Sequence, residues 1–144
     1  MSKKFTPISE LIALKRKRAI VTGGAMGIGF AISYRLAEAG AAVVIADINN
    51  SEAEKACHEL TESGYQAIPI RCDVSNEEDV KNMVSAAANK MGGIDILVNN
   101  AGIYPRVPLA QMTGNDFDRV MSVNLKGIFL CSREASQRMI EQDK

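Results

Sequence analysis

The stretch Ala19-Ile20-Val21-Thr22-Gly23-Gly24-Ala25-Met26-Gly27-Ile28-Gly29-Phe30 constrains the fold more than any other part of the chain. A short apolar strand runs into a glycine-rich turn. Beyond it Ile28, Ile32 and Leu36, with Ala31 and Ala39 beside them, recur at helical spacing. Strand, turn and helix therefore meet at one point. The first N–H groups of such a helix have no partner within it and favour an anion, usually a phosphate. The glycines of the turn let a bulky ligand come close to the backbone without meeting a Cβ.

Two common phosphate motifs fail here. Gly24 and Gly29 have the spacing of P-loop glycines, but Phe30 and Ala31 stand where that motif needs Lys and then Ser or Thr. The usual dinucleotide pattern needs a small residue where Ile32 stands. What remains is Thr22-Gly23, three residues, Gly27, one residue, Gly29.

The rest of the chain repeats strand and helix. The predicted strands are Ala19 to Thr22, Ala41 to Ala46 ending at Asp47, Ala67 to Cys72, and Ile94 to Val98. The second is apolar throughout, as suits a parallel strand covered on both faces. Capping patterns at Ser51-Glu52-Ala53-Glu54, Ser75-Asn76-Glu77-Glu78 and Thr113-Gly114-Asn115-Asp116 open three further helices. Gly40, Gly64 and Gly92-Gly93 close the helices before them. The last helix, carrying Val120, Met121, Leu125, Ile128 and Phe129, runs past Met139. Such alternation predicts an α/β fold of the Rossmann type, a doubly wound parallel sheet flanked by helices. In the strand order 3-2-1-4 the third strand is an edge, where Pro69 is tolerated. Residues 1–17 form a lead-in with one weak turn at Ile8, Leu11 and Ile12, and residues 18–144 form the domain.

Composition narrows the function. Seventeen basic residues balance seventeen acidic ones, so net charge gives no reason to expect a nucleic-acid or membrane partner. The run Lys15-Arg16-Lys17-Arg18 reads as a solvated approach to the first strand. Cys57, Cys72 and Cys131 are widely separated and lack a Cys-x-x-Cys pair, which suits reduced thiols in a cytoplasm. His58 adjoins Cys57 without further ligands, so no metal site is expected.

In a doubly wound sheet the ligand lies at the carboxyl ends of the strands. Those ends are the glycine turn, Asp47, Cys72-Asp73-Val74 and Asn99-Asn100-Ala101-Gly102. Asp47 follows Gly23 by twenty-four residues, near the roughly twenty expected of an acid that accepts ribose hydroxyls. Its charge would repel the 2′-phosphate of NADP, and neither Met26 nor Ile48-Asn49-Asn50 offers a compensating base. Asp73 alone could equally be a helix-opening acid.

Taken together, Thr22-Gly23-x-x-x-Gly27-x-Gly29, Asp73-Val74, Asn99-Asn100-Ala101-Gly102 and Asn124 within Val123-Asn124-Leu125-Lys126-Gly127 resemble the short-chain dehydrogenase/reductase family. The resemblance runs from Arg18 onward but matches only the family's N-terminal half. It implies a hydride transfer between NAD(H), with NADP less favoured, and a small alcohol or carbonyl substrate, in a homo-oligomeric parent protein. It assigns Thr22, Gly23, Met26, Gly27, Ile28 and Gly29 to the cofactor loop, with Gly23, Gly27 and Gly29 shaping the pyrophosphate site. Asp47 falls to the ribose, Asp73 and Val74 to adenine, and Asn100, Ala101 and Gly102 to the nicotinamide side. Asn124 is the implied catalytic asparagine, holding a water in a relay to a lysine and a tyrosine. The family's Tyr-x-x-x-Lys is missing, since Tyr34, Tyr65 and Tyr104 are followed four positions later by Glu38, Pro69 and Pro108. The 144 residues alone are therefore expected to be inactive, and poorly stable as a monomer with the fourth strand and Leu125, Ile128 and Phe129 uncovered. The alternative is a module that holds NAD without turning it over.

Overall fold

The computed structural model describes residues 5–142. A single turn, α1 (Ile8–Leu11), precedes β1 (Arg18–Thr22), and none of its residues is buried. There follow α2 (Gly27–Glu38), β2 (Ala42–Asp47), α3 (Asn50–Glu62), β3 (Ala67–Arg71), α4 (Glu77–Met91) and β4 (Ile96–Asn99). The chain then forms α5 (Gly114–Met121), a π-helical turn over Ser122–Lys126, and α6 (Gly127–Gln142). All strand pairings are parallel, in the order β3-β2-β1-β4.

Register explains how one sheet serves two cores. Ile20 pairs with Val44 and with Leu97, and Val44 pairs with Ile68, so these side chains share a face. That face packs on α4 and α6 through Val80, Met83, Val84, Leu130 and Cys131. The alternate residues Ala19, Val21, Val43 and Ile45 lie on the other face, against Ala37 of α2 and Ala53, Ala56, Cys57 and Leu60 of α3. Burial of each large side chain contributes roughly 1.5–3 kcal/mol. The central strands are therefore the best anchored part of the molecule.

Pro69 sits as expected. Cys72 N–H donates to Asp47 O and Gln66 O accepts from Val43 N–H, so alternate residues of β3 turn toward β2. Pro69 faces the open edge, where its missing N–H breaks no ladder bond.

Several local expectations need correction. The cap of α3 is Asn49, which accepts from Glu52 N–H, while Ser51 Oγ donates to Asn49 Oδ1. The cap of α4 is Asn76, accepting from Glu78 and Asp79 N–H, because Ser75 is held by Asp73. Only the Thr113–Asp116 pattern forms the reciprocal box. The inner face of α2 is Gly29, Ser33 and Ala37, with Ile28 exposed, since small residues let this helix lie close to the sheet. In α6 the buried face is Gly127, Leu130, Cys131 and Ala135, while Leu125 of the preceding turn, Ile128 and Phe129 are exposed, as the sequence leads one to expect. β4 begins two residues late: Asp95 N–H donates to Arg18 O, its carboxylate holds the Arg18 guanidinium, and Gln142 clasps the Ile94 backbone. β3 stops one residue short of Cys72.

Candidate functional site

A cavity of about 400 Å³ opens at the carboxyl ends of the strands. Its walls come from the glycine turn, the ends of β2, β3 and β4, and Val123 of the π-helical turn. Among the described residues no lysine or arginine lines it. Among the described residues no cluster of His, Cys, Asp and Glu could hold a metal, and no helix is long and apolar enough to cross a membrane.

The glycine turn is shaped from within. Gly23 has φ +60, and a Cβ on it would lie 2.9 Å from Ala101 Cα, so the turn and the end of β4 meet backbone to backbone. Gly29 is tighter still: an added Cβ would overlap the Gly23 carbonyl and lie 2.5 Å from Asn100 Nδ2. Asn100 is the staple. Its Nδ2 donates to Thr22 O at 3.1 Å and Gly23 O at 2.9 Å, and its backbone N–H donates to Thr22 Oγ1 at 3.1 Å. Thr22 Oγ1 also accepts from Ala101 N–H. Thr22 is thus buried beneath the cavity and holds its floor, whereas Gly23, Met26, Ile28 and Gly29 form its wall. Gly27, at φ +55, turns the chain into α2 and lies outside the lining.

The start of α2 differs from the starts of α3, α4 and α5. Those three have an Asn or Thr side chain over the first turn, but Met26 before α2 is extended and caps nothing. An uncapped helix start offers its N–H groups and the positive end of the helix dipole to whatever fills the adjoining space.

Asp47 is nine-tenths buried, with its carboxylate fixed by two backbone donors: Oδ2 accepts from Ala25 N–H at 3.3 Å and Oδ1 from Asn49 N–H at 3.0 Å. Each oxygen keeps a further lone pair for a ligand hydroxyl. Asp73 lines the cavity while its Oδ1 accepts from both Ser75 N–H and Oγ, so the helix-opening and cavity positions belong to one residue. Val74, Asn100, Ala101 and Gly102 complete the predicted lining.

Asn124 does not line the cavity. Its Oδ1 accepts from Ile103 N–H at 2.8 Å and its Nδ2 donates to Ile103 O at 2.9 Å, a two-point clasp across twenty-one residues. The π-helical turn brings the side chain there. Asn99 Nδ2 similarly donates to Ser132 Oγ and ties β4 to α6.

Four lining residues had not been assigned to the site from the sequence, although Cys72 stood within a named strand end: Ile48, Cys72, Ile103 and Val123. Each neighbours a predicted one, so extending every strand end by one residue recovers the first three. Burial, aided by Cys131, Asp79 and Asp73, pushes the Cys72 thiol up to about 12, so it stays protonated.

A model of the family described as short chain dehydrogenase matches residues 17–144. An uncharacterized oxidoreductase of Mycobacterium bovis is 38% identical over 131 residues, which cover 91% of this chain and 53% of that protein. A short-chain dehydrogenase/reductase of Armillaria gallica is 41% identical over 128 residues, covering 88% and 49%. A crystal structure of a short-chain type dehydrogenase/reductase from Mycobacterium marinum superposes with a TM-score of 0.91 at 35% identity, over 95% of this chain and 56% of that one. A hydroxysteroid dehydrogenase from Escherichia coli gives 0.88 at 36%, over 93% and 57%. The chain spans about half the length of the curated relatives it matches. The family model takes in all but the first sixteen residues, and this chain belongs to the short-chain dehydrogenase family.

Proposed function

We propose that the cavity holds NAD(H) in preference to NADP(H), and that the whole protein passes a hydride between it and a small alcohol or carbonyl compound. One observation carries this reading: the uncapped start of α2 and the carboxylate of Asp47 open on the same cavity, and among the described residues no cationic side chain lines it. A dinucleotide fits these residues. The N–H groups at the start of α2 suit a pyrophosphate, and Gly23, packed on Ala101, puts no side chain of its own into that wall. Asp47 suits two ribose hydroxyls and disfavours a 2′-phosphate. Asp73 and Val74 suit adenine, as an acceptor for its amino group and an apolar contact for its ring.

Bound nicotinamide supplies the hydride donor or acceptor. The chain's own part is to bind, orient and relay protons. Oδ1 and Nδ2 of Asn124 each spend a hydrogen bond on Ile103, which fixes the side chain, and we assign a water in a relay to the backbone of the π-helical turn, where the shifted hydrogen-bond register changes which carbonyls are engaged. Asn124 then acts as the clasp that aligns that turn with the loop after β4. No tyrosine here has a lysine four positions on, and we assign substrate protonation to residues of the whole protein outside these 144. The same fact favours the second reading, a module that binds NAD without turnover. A cytoplasmic setting and a homo-oligomeric parent rest on cysteine usage and on the family resemblance.

The test is a calorimetric titration of NAD⁺ and NADP⁺ into the unmodified protein and into Asp47→Ala. NAD⁺ should bind about tenfold or more tightly than NADP⁺, a difference of about 1.4 kcal/mol, and Asp47→Ala should narrow the gap. Equal affinities in the unmodified protein refute the preference.

A further inference from the structure

Gly127 opens α6 immediately after the π-helical turn and is buried. A Cβ at this position would lie 2.8 Å from Val74 Cγ2 and 3.2 Å from both Val74 Cβ and its carbonyl oxygen. Favourable carbon contacts begin near 3.5 Å. Something must give way, and the choices are few. Valine is branched at Cβ and has little rotameric freedom, and its backbone oxygen is as close as its Cβ, so Val74 would have to shift as a unit. On its other side Val74 is wall to the cavity. The open direction for it is therefore inward, into the space assigned to adenine.

We propose that Gly127 is a positioning residue for the nucleotide site: its missing Cβ sets how far the Val74 wall stands back from the cavity. The inference rests on the dinucleotide reading above. Gly127 also joins two parts of the site distant in sequence, because the helix that presses on Val74 begins at the end of the turn bearing Val123 and Asn124. Depth on the adenine side and placement of the Asn124 clasp then depend on one contact.

A glycine that was merely a helical residue would behave in the opposite way, since replacing it with alanine raises helix propensity and stabilises the fold. The experiment compares the unmodified chain with Gly127→Ala, Val74→Ala and the double variant. It reads the thermal midpoint without ligand and the affinity for NAD⁺ by calorimetry. Gly127→Ala should lower the midpoint and weaken NAD⁺ binding about tenfold, as expected of an overpacked contact. In the Val74→Ala background the same change should alter affinity by less than about twofold and no longer lower the midpoint. A Gly127→Ala chain that fails to fold is the extreme of the same result, and its rescue in the double variant supports the proposal. A raised midpoint with unchanged affinity, or equal losses in both backgrounds, overturns it. An unmodified, folded chain with no affinity for NAD⁺ overturns the dinucleotide reading and the role in binding together, while the melting cycle still decides the spacing of Gly127 and Val74.

Discussion

Gly29→Ala is the smallest substitution that should unfold the site, although it adds only a methyl group. The new carbon would overlap the Gly23 carbonyl oxygen, lie 2.8 Å from the carbonyl carbon and 2.5 Å from Asn100 Nδ2. None of these neighbours is the loose end of a long side chain. Gly23 is held at φ +60, and Asn100 Nδ2 is bonded to both Gly23 O and Thr22 O. Overpacking of this kind costs about 1–3 kcal/mol. Disrupting the two amide bonds adds about 1 kcal/mol each. The sum, about 3–5 kcal/mol, compares with about 5–15 kcal/mol for a whole domain. Gly27→Ala is the control: no atom lies within 4 Å of its added Cβ, and only the strain of φ +55 remains, about 1–2 kcal/mol. The chain has no tryptophan, so urea unfolding is best followed by far-ultraviolet circular dichroism. A Gly29→Ala protein within about 0.5 kcal/mol of the unmodified one would refute the packing argument.

Two further predictions follow from the charges and thiols. The Arg18 guanidinium holds the Asp95 carboxyl below its ordinary value, so the pair stabilises the fold above the usual carboxylate range and the contribution is lost as pH falls through that range to the depressed value. Asp95→Asn should cost about 1–2 kcal/mol near neutral pH and little at pH 2, measured by urea unfolding at both; an equal cost at the two pH values would count against the ion pair. Burial raises Cys57 and Cys131 to about 11 and Cys72 to about 12, and all three are free. Iodoacetamide at pH 8 should label none of them in the native protein and all of them in urea, as mass spectrometry would read; rapid native labelling of Cys72 would show its cavity wall to be open.

How much of this was legible depended on whether the signal was local. Val43, Val44 and Ile45 form an unbroken apolar run and were readable as a covered parallel strand, and Pro69, which suits an edge or a bulge, agreed with the edge position that the doubly wound strand order gives β3. The inner face of α3 was readable from Ala53, Ala56, Cys57 and Leu60, because large and small apolar residues there share one period. The face of α2 was readable only in part: Ile32 and Leu36 pack on the core as their spacing suggests, but Gly29, Ser33 and Ala37 carry almost no hydrophobic signal while exposed Ile28 carries a strong one. Caps were misplaced where Asn and Ser stood within two residues and competed for the same N–H groups, as at Asn49 and Ser51. Candidate site residues at the strand ends were legible as a set, because topology gathers all four ends. The clasp of Asn124 on Ile103 was not, since it joins two segments far apart in sequence and depends on a hydrogen-bond register that side-chain periodicity does not encode.

The two backbone bonds of Asp47 bear on how this fold changes in descent. The same carboxylate that would meet a ligand also ties down Ala25 and Asn49, and so holds together the turn before α2 and the start of α3. A lineage that exchanged it for an apolar or basic residue would lose both ties in the step that altered the ligand surface. Compensation at the turn or at the helix start must then come first, or arrive in the same step. Cofactor preference in such a chain is reached by an ordered path of substitutions, and its reversal is closed to any single change that leaves the Ala25 and Asn49 amides without acceptors.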